Sequence, residues 1–316
     1  MRTLRYCGIV PVIFVALTSA IALANQPYTE EVNFGDSLTD VGNVFALTGG
    51  TKPDPTMYWN GRASNGLVWS EVLASKLGIP IPTPGLLGGP NGTNFACYGA
   101  LAYGGVDVIP PTLSTQVGIR LSMNKPIRST DLFTLWGGAN DVFNDIYAFG
   151  KPTSDPSIPA NAIKSQISLL AGAGAKEFLV MNLPPLGLTP WVRGTPLQDP
   201  MNTWAAGFNA SLKASIDDLK ATLPADVQIH ELDVYDLFGK IFADPEKYGL
   251  KDVSSSAVMF PAANPDDYLF WDTVHPTRIG HQLIAEAAYS ILVPEPTCLG
   301  MLTIAAACVL LRRRAA

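Results

Sequence analysis

The sequence predicts an α/β fold in which a parallel five-stranded sheet carries helices on both faces. Short apolar runs of strand length alternate along the chain with longer segments of helical apolar spacing. Gly and Pro residues separate most of these segments. Such alternation is typical of a parallel sheet that is covered on both faces. A length of 316 residues suits one domain of this kind between two distinctive ends.

Each element has its own local signals. Five short apolar segments are predicted strands, at residues 31–34, 93–97, 131–136, 177–182 and 227–232. Five longer segments with apolar residues three and four apart are predicted helices, at residues 67–77, 113–123, 160–171, 203–223 and 276–292. Gly78 ends the first helix, Pro224 stops the fourth, and Thr277 is a candidate cap for the last.

Four segments rich in Pro and Gly connect these elements, at residues 79–92, 150–159, 183–200 and 244–265. Loops of this length without regular structure are usually functional or mobile. We therefore expect them to surround the mouth of a site. Ordinary surface connections are the alternative for each loop taken singly.

The N-terminal residues 1–24 have the three parts of a secretory signal peptide. Arg2 and Arg5 precede an apolar stretch at about residues 9–20, and Ala22-Leu23-Ala24 forms the small-residue cleavage site. A retained membrane anchor is the alternative, which the short apolar stretch argues against. We therefore expect the protein to be exported.

The C-terminal residues 294–316 also form a tripartite pattern. Residues 293–296 read Val-Pro-Glu-Pro, an apolar run follows at residues 297–311, and three arginines come next. As a helix the run rises only about 22 Å, against a hydrocarbon thickness of roughly 30 Å, and the arginines mark a cytoplasmic flank. The pattern resembles the PEP-CTERM sorting signal of Gram-negative bacteria. That resemblance implies a transient transmembrane anchor removed by an exosortase-type enzyme; a plain tail anchor is the alternative.

Composition excludes some classes of function. The formal net charge is −6, and removing both ends makes residues 25–293 more acidic, because the ends carry five arginines and one glutamate. No basic run is present that would bind a phosphate backbone, which argues against nucleic acid as a partner. Cys97 is the only cysteine of this core, so an intramolecular disulfide is impossible there. Three histidines and one cysteine leave no ligand set for a structural zinc site.

Polar residues and glycines follow three predicted strands in an order that suits nucleophilic catalysis. Ser37 follows the first strand, Gly99 the second and Asn140 the third, while Asp272 and His275 come shortly before the last helix. The carboxyl ends of parallel strands meet at one edge of a sheet, so the first three should lie together.

These residue types can divide the work of acyl transfer. A serine hydroxyl needs a base to take its proton; His275 can act as that base, and Asp272 can orient the imidazole. The backbone N–H groups of Ser37 and Gly99 and the amide of Asn140 can stabilise an oxyanion. Each has a structural alternative: a turn or cap at residues 36–37, a turn at Gly99, a helix cap at residues 140–141, and a structural role for His275. His230 and His281 are predicted to be structural.

Four sequence blocks resemble the GDSL (SGNH) hydrolase family. Residues 33–43 read Asn-Phe-Gly-Asp-Ser-Leu-Thr-Asp-Val-Gly-Asn, residues 94–100 Asn-Phe-Ala-Cys-Tyr-Gly-Ala, residues 138–141 Gly-Ala-Asn-Asp and residues 270–277 Phe-Trp-Asp-Thr-Val-His-Pro-Thr. Residues 59–62 and 64–66 also resemble the family segment before the second helix. The resemblance implies a flavodoxin-like three-layer α/β/α sandwich.

The same resemblance implies a role for each site residue. Ser37 is the nucleophile, His275 the base and Asp272 its orienter, and the oxyanion hole comprises Ser37, Gly99 and Asn140. The mechanism requires no metal or organic cofactor. Cys97 and Tyr98 stand where the family has smaller residues, so Gly104 is a weaker candidate for the oxyanion glycine. Gly42 and Asn43 are taken as structural.

The sequence therefore predicts a single-domain, exported hydrolase of acyl esters that acts through an acyl-serine intermediate. Lipids or short acyl esters are the expected substrates if four loop aromatics line an apolar pocket, although such aromatics more often pack in the core; they are Trp191, Phe260, Tyr268 and Trp271. Alternatives are a cell-surface polysaccharide O-deacetylase and a non-catalytic extracellular-matrix module. A flavodoxin-like nucleotide binder is a weaker idea, because no phosphate-binding glycine loop is found. Activity should fall below roughly pH 6–6.5, where an ordinary imidazole becomes protonated.

Overall fold

The computed structural model describes residues 28–294 other than 88, 90 and 105–109. The predicted signal peptide at residues 1–24 and residues 295–316 of the predicted sorting signal lie outside this range, so both stay predictions. Among the helices described, none has the length and apolarity needed to cross a bilayer.

A parallel sheet of four strands forms the centre of the domain. Its strands are β1 (Glu30–Gly35), β2 (Asp131–Trp136), β3 (Glu177–Met181) and β4 (Gln228–Leu232), in the order β1-β2-β3-β4. The register sets Phe34 opposite Leu135 and Leu135 opposite Val180. Every residue of β2 is buried, as expected for a central strand covered on both faces.

The prediction of five regular strands is wrong in one respect. Residues 93–97 do run parallel to the outer edge of β1, where Asn33 N–H donates to Thr93 O and Phe95 N–H donates to Asn33 O. Two residues further on, Gly35 N–H donates to Gln116 Oε1 at 2.9 Å. A continued regular ladder would need that N–H, so a single regular bridge forms here among the residues described, although Cys97 N–H still donates to Gly35 O at 3.1 Å. The segment still occupies the second-strand position of a flavodoxin-like order.

Helices cover both faces of the sheet, which confirms the predicted three-layer sandwich. The helices are α1 (Asn43–Leu47), α2 (Trp69–Leu77), α3 (Leu113–Ser122), α4 (Ala139–Phe149), α5 (Ser157–Gly172), α6 (Gln198–Thr222), α7 (Val234–Ala243) and α8 (Arg278–Leu292). Phe133 and Leu135 of β2 pack in one core with α3, α4, α5 and α6. Leu132 and Trp136 point to the other face and pack with α2, α7 and α8. Burying each such side chain contributes about 1.5–3 kcal/mol.

The five predicted helices are all present, with ends shifted by a few residues. Thr277 caps α8 as predicted, since its hydroxyl accepts from Gly280 N–H at 3.2 Å. Three helices, α1, α4 and α7, were not predicted from the sequence. Neither was a second, two-stranded parallel sheet of β5 (Asp252–Ser256) and β6 (Tyr268–Phe270). The β5–β6 sheet immediately precedes Asp272 and His275 in the chain.

Candidate active site

Ser37 lies in a tight turn directly after β1. Gly35 is required there, because a Cβ at this position would lie 2.4 Å from the carbonyl oxygen of Trp136 on β2. The Asp36 carboxylate accepts from Leu38 N–H at 3.0 Å, and Asp36 O accepts from the N–H groups of Thr39 and Asp40. The turn therefore holds the Ser37 side chain at the carboxyl edge of the sheet.

The structure brings the hydroxyl, imidazole and carboxylate into one hydrogen-bonded row. His275 Nε2 is 2.8 Å from Ser37 Oγ, and His275 Nδ1 is 2.6 Å from Asp272 Oδ2. Ser37 and His275 are separated by 238 residues in sequence. All three side chains are buried, with 5–9% of each residue exposed. A proton held on Nδ1 leaves Nε2 free to accept the serine proton.

Asp272 accepts four hydrogen bonds. Val274 N–H and His275 N–H donate to Oδ1 at 2.8 and 2.7 Å, and Tyr58 OH donates to Oδ2 at 2.6 Å beside the imidazole. Burial alone raises the pKa of Asp272, but the charge of His275 and these hydrogen bonds together hold the pKa well below its usual range. The carboxylate is therefore ionised throughout the pH range in which the imidazole titrates.

The environment of His275 raises its pKa above the ordinary value of 6.5. Burial lowers this pKa, but the charge and hydrogen bond of Asp272 more than offset the burial, and Asp36 adds to the increase. The imidazole is thus protonated at higher pH than the sequence-based expectation of pH 6–6.5 assumed.

We expect kcat/KM to fall as the pH drops through an apparent pKa above 6.5, because the imidazolium cannot accept the serine proton. A pH–rate profile of ester hydrolysis, with a parallel check of folding at each pH, gives this value. A profile that stays flat down to pH 4 would contradict a histidine base.

Three donors converge beside Ser37. Gly99 and Asn140 line the same cavity as the serine. Among the described residues, no protein acceptor takes the backbone N–H of Ser37 or of Gly99. Asn140 Nδ2 donates one hydrogen to Ala100 O at 3.0 Å, which orients the amide and leaves its second hydrogen free. The arrangement can stabilise an oxyanion, and Gly104, which does not line this cavity, is the weaker candidate.

The start of α4 positions Asn140. Gly138 precedes the helix with φ +114°, a conformation that favours glycine, and a Cβ there would lie 2.6 Å from the Phe208 ring. This glycine lets the chain turn sharply from β2 into α4, which places Asn140 in the first turn of the helix.

Asn140→Ala should lower kcat by about 10²–10³-fold, since losing one oxyanion donor typically costs about 2.7–4 kcal/mol of barrier. KM should change little, because the donor acts mainly on the charged transition state. Steady-state kinetics measure this, with the thermal midpoint as a control for folding. An unchanged kcat in a folded variant would remove Asn140 from the oxyanion hole.

Asp141 is not the helix cap that the sequence suggested. Its carboxylate accepts from Ala102 N–H at 2.9 Å and Tyr103 N–H at 3.3 Å, and burial raises its pKa to about 7. Gly138, which precedes α4, makes no side-chain cap. Asp141 instead holds the loop after Gly99 against α4, which fixes two oxyanion donors relative to each other.

Asn43, which was predicted to be structural, and Asp40 hold the other side of this loop. Asn43 Nδ2 donates to Asn94 O at 2.9 Å and Ala96 O at 2.8 Å. Asp40 accepts from Tyr98 N–H at 2.9 Å and from three N–H groups at the start of α1. The segment leading to Gly99 is thereby tied to the turn that carries Ser37.

The cavity beside Ser37 has a volume of about 380 Å³, and three of its aromatic lining residues, Phe143, Tyr147 and Trp191, form an aromatic wall. Trp191 packs edge-on against Phe143 with ring centroids 5.2 Å apart, and its centroid is 5.3 Å from that of Tyr147. Trp191 N–H donates to Thr273 O at 2.9 Å, which links this wall to the loop carrying His275. Such a wall suits an apolar group of modest size.

Only part of the predicted pocket is correct. Trp191 lines the cavity, whereas Phe260, Tyr268 and Trp271 do not, and Phe260 stacks on Tyr268 instead. Of the four long loops, only residues 183–200 contribute lining among the residues described. Phe143 and Tyr147 were not predicted as lining residues, although their spacing of three and seven residues from Asn140 places them on one face of α4.

The remaining histidines and Cys97 do not line this cavity. His281 is fully buried, accepts from Trp69 N–H at 3.3 Å and has its pKa lowered to about 3 by burial and by the charge of His275. His230 on β4 is 3.4 Å from a carboxylate oxygen of Glu177. Cys97 is buried and free. In the described part of the chain no cluster of His, Cys, Asp or Glu could hold a metal ion.

An α/β sandwich that sets a Ser–His–Asp row beside open oxyanion donors is the architecture of a serine ester hydrolase. The family described as GDSL-like Lipase/Acylhydrolase matches residues 32–288, and the chain belongs to it. The predicted family and the predicted enzyme class, a carboxylic ester hydrolase, are confirmed.

Known proteins similar to this chain include two bacterial relatives and one solved structure. A phosphatidylcholine-sterol acyltransferase from Aeromonas hydrophila is 27% identical over 88% of this chain and 94% of its own length. A thermolabile hemolysin from Vibrio parahaemolyticus is 30% identical over 84% of this chain and 64% of its own. A crystal structure of a lipolytic G-D-S-L family member from Veillonella parvula has a TM-score of 0.48 at 14% identity and covers 84% of this chain and 100% of that one.

Proposed function

We propose that this protein hydrolyses apolar acyl esters through an acyl-Ser37 intermediate. The observation that carries the proposal is the row of Ser37, His275 and Asp272 with its two short hydrogen bonds. Ser37 Oγ attacks the ester carbonyl carbon while its proton passes to His275 Nε2. The N–H groups of Ser37 and Gly99 and the amide of Asn140 stabilise the oxyanion.

Collapse of the tetrahedral oxyanion breaks the ester C–O bond, and the alcohol leaves with the proton from His275, which gives acyl-Ser37. A water molecule then gives a proton to His275 and attacks the acyl carbon. The bond from that carbon to Ser37 Oγ breaks, His275 returns the proton to Oγ, and the carboxylic acid is released. Asp272 keeps the Nδ1–H tautomer throughout and stabilises the imidazolium. No step in this cycle needs a metal or an organic cofactor.

The acyl chain is proposed to lie against the aromatic wall of Phe143, Tyr147 and Trp191. The wall borders the cavity that holds Ser37, so it is available to the acyl group of a bound ester. The similar acyltransferase carries the name of a phospholipid, itself a long-chain acyl ester. The wall favours an apolar acyl group, and the name of this relative favours a lipid ester over a short acyl ester.

We also propose that the enzyme is exported across the inner membrane of a Gram-negative bacterium and acts at the cell surface, in the matrix or as a secreted protein. The patterns at residues 1–24 and 294–316 support this, with an exosortase-type enzyme removing the tail. Cell fractionation of the native host with intact-mass analysis tests it. A chain recovered from the cytoplasm at its full mass would overturn the proposal.

A series of p-nitrophenyl esters from acetyl to palmitoyl, assayed with the purified 316-residue chain, tests the substrate class. We expect kcat/KM to rise with acyl length to an optimum beyond acetyl, because each added methylene buries apolar surface worth about 0.8 kcal/mol. Turnover confined to acetyl would overturn the lipid assignment and favour the polysaccharide O-deacetylase. A folded chain inactive on every ester would favour the non-catalytic matrix module.

A further inference from the structure

The connection between α1 and α2 packs against the loop that carries Asp272 and His275. Three hydrogen bonds join them. Tyr58 OH donates to Asp272 Oδ2 at 2.6 Å, Ser64 Oγ donates to Pro276 O at 2.9 Å, and Arg278 N–H donates to Asn65 Oδ1 at 2.7 Å. The two segments are more than 200 residues apart in sequence, so the contact is purely tertiary.

The α1–α2 connection is itself held in place independently of Asp272. Arg62 donates from Nη2 and Nε to the two carboxylate oxygens of Glu71 at 2.6 and 3.2 Å, and Glu71 is buried in the first turn of α2. The Arg62 guanidinium lies over the Trp59 ring, 5.3 Å from its centroid. Tyr58 N–H donates to Asp54 O at 2.9 Å. These contacts position the Tyr58 phenol beside Asp272 without any contribution from the Asp272 carboxylate.

We infer that Tyr58 is a positioning residue of the active site. Its hydrogen bond to Asp272 helps to orient the His275 imidazole and reduces the negative charge that the carboxylate presents to the imidazole. The inference rests on the function proposed above for Ser37, His275 and Asp272. Tyr58 touches the carboxylate rather than the reacting atoms, so its effect on catalysis is indirect.

The bonding of Asp272 explains why a fourth donor matters. Its Oδ1 accepts from two backbone N–H groups, while among the residues described Oδ2 accepts from His275 and Tyr58 alone. Without the phenol, Oδ2 keeps a single partner, and the carboxylate can rotate about the bond that sets the imidazole direction. Burial first, and the Asp272 charge second, raise the pKa of Tyr58, so the phenol remains a neutral donor.

The direction of the expected pH effect follows from the same contacts. A carboxylate that loses a donor becomes a stronger acceptor and presents more charge to the imidazolium. The pKa of His275 therefore rises when the phenol is removed. Asp36, Tyr98 and His281 also face this pair, and their side chains are unchanged in the variants proposed here.

Tyr58→Phe in the full chain should lower kcat roughly tenfold with KM within about twofold, since orientation is needed chiefly in the transition state. The acid limb of its kcat/KM profile should move to higher pH by about half a unit. Tyr58→Leu should give the same shift with a larger loss of kcat, because it also removes the ring. Tyr289→Phe on α8, outside the cavity, is the matched control and should change neither quantity.

An acid limb that stays in place in both Tyr58 variants would overturn the inference, whatever happens to kcat, and would reduce Tyr58 to a packing role. The downfield proton resonance of His275 Nδ1–H supplies a readout that needs no substrate. In Tyr58→Phe this resonance should be broader than in the wild type, and it should titrate at higher pH. The wild type could prove inactive while this resonance still changes in Tyr58→Phe. That result would contradict the proposed function but would support the coupling of Tyr58, Asp272 and His275.

Discussion

Ser37→Ala should lower kcat for ester hydrolysis by roughly 10⁶-fold, the order of loss seen when a serine hydrolase loses its nucleophile. The Oγ of Ser37 lies 2.8 Å from the base, and no covalent intermediate can form without it. KM and the thermal midpoint should change little, because the side chain removed is small. Steady-state and burst kinetics on the preferred ester measure the effect.

Ser168→Ala is the matched control for this prediction. Ser168 is an exposed residue of α5 whose hydroxyl donates to Lys164 O within the same helix. Its loss should leave turnover unchanged. Residual activity of Ser37→Ala above about 1% of wild type, free of contaminating esterase, would mean that another group is the nucleophile.

Asp272→Asn should lower kcat by about 10⁴-fold while preserving the fold. If the amide oxygen keeps the two backbone N–H groups of Val274 and His275, the amide nitrogen faces His275 Nδ1. The imidazole must then accept at Nδ1 and carry its proton on Nε2, where it can no longer take the proton of Ser37. The loss thus arises from the wrong tautomer rather than from an altered backbone.

The pH–rate profile of Asp272→Asn distinguishes the tautomer explanation from a general disturbance of the active-site structure. The charge of Asp272 raises the pKa of His275, so the acid limb should move to lower pH in the variant. Asp155→Asn, at an exposed loop carboxylate that accepts from Ser157 N–H, serves as the control. A variant that keeps more than a tenth of wild-type kcat would show that Asp272 does not set the tautomer.

The sequence predicted the parallel sandwich and the members of the site because both depend on local patterns. Apolar runs of strand length indicate buried strands. Ser37, Gly99 and Asn140 each follow a predicted strand, and the carboxyl ends of parallel strands lie at one edge of the sheet. The edge segment at residues 93–97 was predicted as a full strand, since nothing local reveals that Gln116 takes the Gly35 N–H.

The errors concern contacts between segments that are distant in sequence. Phe260 and Tyr268 were candidates for the pocket because they are aromatic and lie in or near a long loop, with packing as the alternative, and they stack on each other. Asp141 was taken as a cap, although its carboxylate reaches back to the loop after Gly99. The Tyr58–Asp272 bond spans 214 residues and has no local signal.

Labelling of the full chain with a fluorophosphonate, followed by peptide mapping by mass spectrometry, identifies the nucleophile. We predict a single adduct on Ser37, formed at a rate that falls as His275 is protonated and lost in Ser37→Ala. An adduct on another serine, or ester turnover that continues after complete labelling elsewhere, would contradict it.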